Sequence, residues 1–175
     1  MSTGDLVLAF RSEALEDRPS FEALMAAHQP RVLRTAYRLL GRIEDAQDAT
    51  QEVFLRLLRH LDRVDRADPK AWLYRVTVNV CNDYFRRRML VLEPLDRADP
   101  TPGPEHALEM EDRKRLLTEG LARLPERERA AVVLRDIEGL STPEVAEILG
   151  VEEVTVRTQI CKARMRLAEY VRTRK

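Results

Sequence analysis

The sequence predicts an all-α protein of two small helical domains joined by a flexible linker, and three observations predict it. Apolar side chains recur at a spacing near 3.6 in both halves of the chain, no stretch alternates convincingly at a spacing of two, and an acidic, proline-bearing segment separates the halves. The 175 residues, 44% of them hydrophobic, suffice for two modest cores. The expected boundaries are an N-terminal extension over residues 1–17, a first domain over 18–88, a linker over 89–112 and a second domain over 113–175.

The extension shows little pattern. From Phe21 to Leu40 the side chains Phe21, Leu24, Met25, Val32, Leu33, Ala36, Tyr37 and Leu40 fall on one helical stripe, with Gly41 as the stop and Pro30 expected to kink or restart the helix. A second helix, about Glu44 to Leu61, should bury Ala46, Ala49, Val53, Leu57 and Leu61, and its acidic first turns suit the positive end of the helix dipole. Pro69 can open a third helix over Ala71 to Arg88, although Val76, Thr77, Val78 and Val80 favour strands by propensity alone. Between Met89 and Asp112 stand four prolines and a glycine without a sustained apolar face, the composition of a linker. From Arg113, Leu116, Leu117, Leu121 and Leu124 make one face, and Pro125 opens a helix expected to end near Gly139.

Lysine plus arginine equal aspartate plus glutamate at 30 each, so distribution matters more than sum. Residues 93–112 hold seven acids against Arg97 alone, whereas residues 155–175 hold seven basic side chains against Glu169 alone. Cys81 and Cys161 lack the paired spacing of a zinc site or redox dithiol and read as free thiols. His28, His60 and His106 are scattered, no glycine-rich phosphate loop is present, and the carboxylates lack metal-ligand spacing, so neither an enzyme, a metal site nor a cofactor is expected. With only Leu6 to Phe10 as an early apolar run, neither a signal peptide nor a membrane span is expected, and the reading is a cytoplasmic protein.

Near the C-terminus, Ser141-Thr-Pro-Glu144 is a capping box that starts a helix burying Val145, Ile148 and Leu149 and stopping at Gly150. A second helix from Val154 to about Val171 follows, with Val156, Ile160, Ala163 and Leu167 inward. Helix, glycine turn, helix is the pattern of a DNA-binding helix-turn-helix, and of some packed hairpins too. Outward on the second helix lie Arg157, Thr158, Cys161, Lys162, Arg164 and Arg166, where Arg157 and Lys162 could reach guanine acceptors and the later arginines phosphates. In the first half, Asp45, Asp48 and Glu52 share one helical face with Gln51 and Phe54 near its edges. Trp72, Tyr74, Tyr84 and Phe85 accompany Lys70, Arg75, Asn79 and Arg86 to Arg88, aromatics and cations suited to single-stranded DNA, although Trp72 and Phe85 serve equally well as core.

The run Asp45-Ala-Gln-Asp-Ala-Thr-Gln-Glu-Val-Phe-Leu55, with Ala71-Trp-Leu-Tyr-Arg-Val-Thr-Val-Asn79 and Arg86-Arg-Arg88, resembles region 2 of the extracytoplasmic-function (ECF) sigma factors of bacterial RNA polymerase. Leu124-Pro-Glu-Arg-Glu-Arg129, Leu134-Arg-Asp-Ile-Glu-Gly-Leu-Ser141 and Val145-Ala-Glu-Ile-Leu-Gly150 resemble their region 4. The resemblance covers about residues 20–88 and 113–172 in the family's order. It implies promoter-specific initiation without catalysis. Asp45, Asp48, Gln51, Glu52 and Phe54 would dock on the coiled coil of the largest polymerase subunit, with the polymerase flap as a further contact. Asp68, Lys70, Trp72, Arg75, Asn79, Arg86 and Arg87 would take the single-stranded −10 element, the loop around Asp65 to Lys70 holding a flipped base. Thr155, Arg157, Thr158, Cys161, Lys162 and Arg164 would read the −35 element. An anti-sigma factor is the regulatory partner the family implies.

The chain departs from its relatives at Val154-Thr-Val156, where they often have Gly-Thr-Val, at Gln159 in place of arginine, and at Cys161-Lys162. The resemblance therefore does not extend to one upstream promoter sequence. Two other functions use the same features: a helix-turn-helix regulator with a ligand-binding or dimerising bundle, which would bind duplex tightly without polymerase, and a protein-binding helical adaptor, indifferent to Arg157→Glu.

Overall fold

The computed structural model describes residues 19–66, 68–91 and 105–174, and among these there are helices and turns but no strand. Three helices form the N-terminal bundle: α1 (Phe21–Leu40), α2 (Ile43–Arg59) and α3 (Lys70–Val91). Four form the C-terminal unit: α4 (Glu105–Ala122), α5 (Glu126–Val132), α6 (Thr142–Leu149) and α7 (Glu153–Arg172), with a π-helical turn, Val133–Ile137, continuing α5. The expectations for residues 1–17 and for the flexible linker's centre lie outside the described residues. At the linker's edges helix replaces the expected coil: α3 runs on to Val91 and α4 starts at Glu105 rather than near Arg113.

Local chemistry accounts for most helix ends. The Ser20 hydroxyl accepts from the Ala23 N–H at 3.2 Å and opens α1, and Gly41, at φ 78°, closes it by donating its N–H to the Tyr37 carbonyl. Contrary to the expected restart, α1 continues through Pro30, which is exposed together with Ala26, so water can take the carbonyl that proline leaves unpaired. The strand-forming run in α3 is helical because Thr77, Val78 and Val80 are buried there, and the Thr77 hydroxyl donates to the Leu73 carbonyl at 2.7 Å. At α6 both halves of the capping box form: Ser141 Oγ accepts from the Glu144 N–H and Glu144 Oε2 accepts from the Ser141 N–H at 2.7 Å. Replacing Ser141 by alanine should cost about 1 kcal/mol, read as a lower urea midpoint.

The buried apolar side chains form one continuous cluster running through both halves, from Leu24, Ala36 and Leu57 through Leu73 and Val80 to Leu134, Val145 and Ala163. Of the face expected on α4, Leu121 and Leu124 are buried but Leu117 is 44% exposed. Gly120 sets how closely α4 approaches α7, since a Cβ there would stand 2.9 Å from Leu167 Cδ2. The helix opened by Pro125 ends near Gly139, as expected, but its last part widens into the π turn, where the Glu138 N–H bonds the Val133 carbonyl five residues back. That turn lies against α1 and brings Glu138 to the N-terminal bundle.

Candidate nucleic-acid and polymerase interfaces

Helix α2 buries Ala46, Ala49, Thr50, Val53 and Leu57 and leaves Asp48 and Gln51 exposed opposite them. Glu52, half-buried, pairs with Arg56 at 2.7 Å one turn on. The Tyr84 phenol of α3 has its pKa raised, by burial first and then by Asp48, Glu52 and Asp45, so the three carboxylates act on one neighbouring group. Phe54 corrects the sequence reading. It is 5% exposed and belongs to the core, because its place beside Val53 and Leu57 turns it under the helix. The apolar edge of this face comes instead from Leu55 and Leu58, 48% and 52% exposed. Their positions seven residues after Asp48 and Gln51 were readable as the same stripe.

Helix α3 begins where Asp68 Oδ1 accepts the Lys70 N–H at 3.4 Å, so Asp68 holds the helix start. Trp72, half-buried, packs on the core, while Arg75, Asn79, Arg86 and Arg87 are exposed. Arg75, Asn79 and Arg86 follow at four and seven residues and thus share a stripe. Three cations of α3 meet the C-terminal unit: Lys70 Nζ is 4.0 Å from Glu144, Arg75 Nη2 donates to the Glu147 carbonyl at 2.9 Å, and Arg86 Nη2 lies 3.5 Å from Glu126. Tyr74, buried, donates its hydroxyl to Glu138 Oε2 at 3.0 Å; burial, then the Glu138 charge, pushes the phenol pKa up. Cys81, on the buried side, has its thiol pushed up to about 12 by burial. Phe85 lies under the Arg129 guanidinium, 4.0 Å from ring centroid to carbon.

Helix α7 buries Val156, Ile160 and Ala163 and exposes Arg157, Thr158, Cys161, Lys162, Arg164 and Arg166; Thr155 is half-buried. Gly150, at φ 65°, makes the turn from α6 that sequence reading placed there. Two of the outward cations are held by carboxylates of the π turn and of α5. Arg164 donates twice to Asp136, from Nε at 2.8 Å and Nη2 at 2.7 Å, and Arg166 Nε is 3.1 Å from Glu128. Arg157 pairs with Glu153 at 2.6 Å, while the Thr158 hydroxyl donates to the Val154 carbonyl. Between α5 and α7 an open cleft of about 570 Å³ is lined by Arg127, Thr155, Thr158, Gln159 and Lys162. Asp136 and Glu128 were missed as partners because both act across turns that the sequence pattern does not relate.

Residues 24–90 match the family model for sigma-70 region 2, and residues 114–167 match that for sigma-70 region 4. The ECF RNA polymerase sigma factor SigM of Mycobacterium tuberculosis is 37% identical over 164 residues, which are 89% of this chain and 79% of SigM. The chain belongs to the ECF sigma factors. A 40% identity over 159 residues relates this sigma factor to SigE of Mycolicibacterium smegmatis, covering 87% of the chain but 62% of that relative's length. Among solved structures, CnrH in complex with the cytosolic domain of CnrY matches with a TM-score of 0.67 and 26% identity over 89% of each chain.

In this sigma factor the two matched regions coincide with the two helical units, region 2 with α1 to α3 and region 4 with the last turns of α4 through α7. No described helix is long and apolar enough to cross a membrane.

Proposed function

We propose that this sigma factor binds core RNA polymerase through α2, opens and holds the −10 element on α3, and binds the −35 element through α7. The observation that carries the reading is the pair of sigma regions in family order, each with an exposed functional face: carboxylates with Leu55 and Leu58 on α2, and cations on α7. The molecule is neutral overall, so duplex affinity without polymerase should be low. This argues against a free-standing regulator. The factor acts where polymerase acts, in the cytoplasm, and contributes no covalent chemistry. Asp48, Gln51 and Glu52 meet basic residues of the largest subunit's coiled coil, and the flap contacts region 4. Lys70, Trp72, Arg75, Asn79, Arg86 and Arg87 serve the displaced strand, with Asp68 holding the start of their helix. Thr155, Arg157, Thr158, Cys161 and Lys162 line the upstream duplex, with Arg164 free to exchange Asp136 for a phosphate. An anti-sigma factor is the expected inhibitor, as family membership implies.

Purified chain added to core polymerase should be retained by it and give discrete run-off transcripts from the promoter of its own operon. Absence of any transcript across a genomic promoter library would overturn the reading. Arg157→Glu should lower transcription from a promoter that depends on the −35 element by about tenfold or more, as expected for losing one base-edge contact and adding a repulsive charge. An unchanged transcript level would instead favour a protein-binding adaptor.

A further inference from the structure

The cleft between α5 and α7 contains a polar group that the fold leaves unmatched. Its α7 wall carries Thr155, Thr158, Gln159 and Lys162, and its α5 wall carries Arg127. Thr155, Gln159 and Lys162 follow one another at four and three residues, so they share one face of the helix. The Gln159 carboxamide oxygen is buried, yet no described residue donates a hydrogen bond to it. A buried acceptor without a donor raises the free energy of the unbound protein, so a ligand that supplies the donor recovers that cost on binding. The terminal torsion of a glutamine is soft, and the amide can turn from the helix toward the cleft.

The neighbouring polar side chains are less suited to recognise a base. The Thr158 hydroxyl donates to the Val154 carbonyl within the helix at 2.9 Å. Lys162 and Arg127 carry donors only. Both are exposed and pair with no described carboxylate, whereas Arg157, Arg164 and Arg166 are held by Glu153, Asp136 and Glu128. These two cations, one on each wall, are placed to meet phosphates, contacts that fix register without reading sequence. An amide offers a donor and an acceptor side by side. That is the complement of adenine, whose major-groove edge presents N7 as acceptor and the N6 amino group as donor. Gln159 stands where relatives often have arginine, a side chain with donors only, which complements guanine instead.

We propose that Gln159 is a specificity-determining residue of this sigma factor: on the −35 duplex its Nε2 donates to N7, and its Oε1 accepts from N6, of a single adenine. This role rests on the reading of α7 as the upstream-duplex helix. The −35 element of this factor therefore contains an adenine, on one strand or the other, that an arginine at the same position would not select.

The test uses holoenzyme reconstituted from core polymerase and the full-length factor, with promoter fragments randomised over the upstream element and the bound fragments sequenced. Wild type should enrich adenine at one position by about tenfold over the other bases. Gln159→Arg should change that position to guanine and Gln159→Ala should leave it without preference, while preferences elsewhere in the element stay as they are. A second measurement needs no variant to fold: 7-deazaadenine at the selected position, which lacks the N7 acceptor, should weaken binding by wild-type holoenzyme about fivefold or more. The same base should leave binding by Gln159→Ala unchanged, as a coupled pair requires. A selected motif identical in all three proteins would overturn the role of Gln159 and leave α7 as the duplex helix. So would a Gln159→Ala defect equal on every sequence, with no response of wild type to 7-deazaadenine, because that is the pattern of a residue that only shapes the helix. No upstream enrichment by wild type, with binding to core polymerase intact, would overturn both and identify the reading of α7 as the part that failed.

Discussion

Replacing Asp48 and Glu52 together by arginine should weaken binding to core RNA polymerase by about 100-fold, since two reversed charges facing a basic coiled coil each remove an attraction of about 1.5 kcal/mol or more. The fold should survive, because Asp48 is exposed and the only hydrogen-bonding side chain that Glu52 touches among the described residues is Arg56 on the same surface. An exposed pair one turn apart contributes roughly 0.3–0.5 kcal/mol. The measurement is equilibrium retention of dye-labelled factor by immobilised core enzyme, with a thermal melt as control. Affinity within threefold of wild type would mean that α2 is not the docking face. The substitution should also move the Tyr84 phenol pKa downward, because two of the carboxylates that raise it would be gone. A spectrophotometric titration thus reports that both side chains face α3 whether or not polymerase binds.

Leu134→Ala should destabilise region 4 by about 2–5 kcal/mol, the range for removing a fully buried leucine side chain. Leu134 is 0% exposed, lies in the π turn, and its carbonyl accepts the Leu140 N–H at 3.1 Å just before the capping box. A unit of this size has little stability to spare, so the loss should partly unfold the helix-turn-helix at 37 °C. The expected signature is split: −35-dependent transcription is lost while retention by core polymerase through α2 largely persists. Urea unfolding followed by circular dichroism should show a new low-denaturant transition. A single unshifted transition would mean that the π turn repacks around the smaller side chain.

Much of the fold was legible because it depends on short-range relations. The Ser20 and Ser141 starts, the Gly41 and Gly150 stops, and the stripes through Val53 and Val156 all follow from neighbours within one or two helical turns. The acidic face on α2 was legible for the same reason. Phe54 was misread because a helix edge can turn either under or outward, and only packing against α1 and α3 selects the side. The same ambiguity hid Leu55 and Leu58 as exposed side chains. Helix reaches into the expected linker at both ends, to Val91 and from Glu105, since proline and acid content argues against a core but not against a helix whose start proline can occupy.

Local pattern therefore determined the helices, their caps, the two-part organisation and the helix-turn-helix. Tertiary structure decided the pairing of distant groups: Glu138 with Thr35, Arg38 and Tyr74, Arg164 with Asp136, and Arg129 with Phe85. The pairs in the first and last of these sets lie 44 to 103 residues apart, and the second spans 28, separations across which periodicity carries no information. Such partners meet only through the packing of the two helical units, which places Glu138, just after the π turn, against α1 and α3.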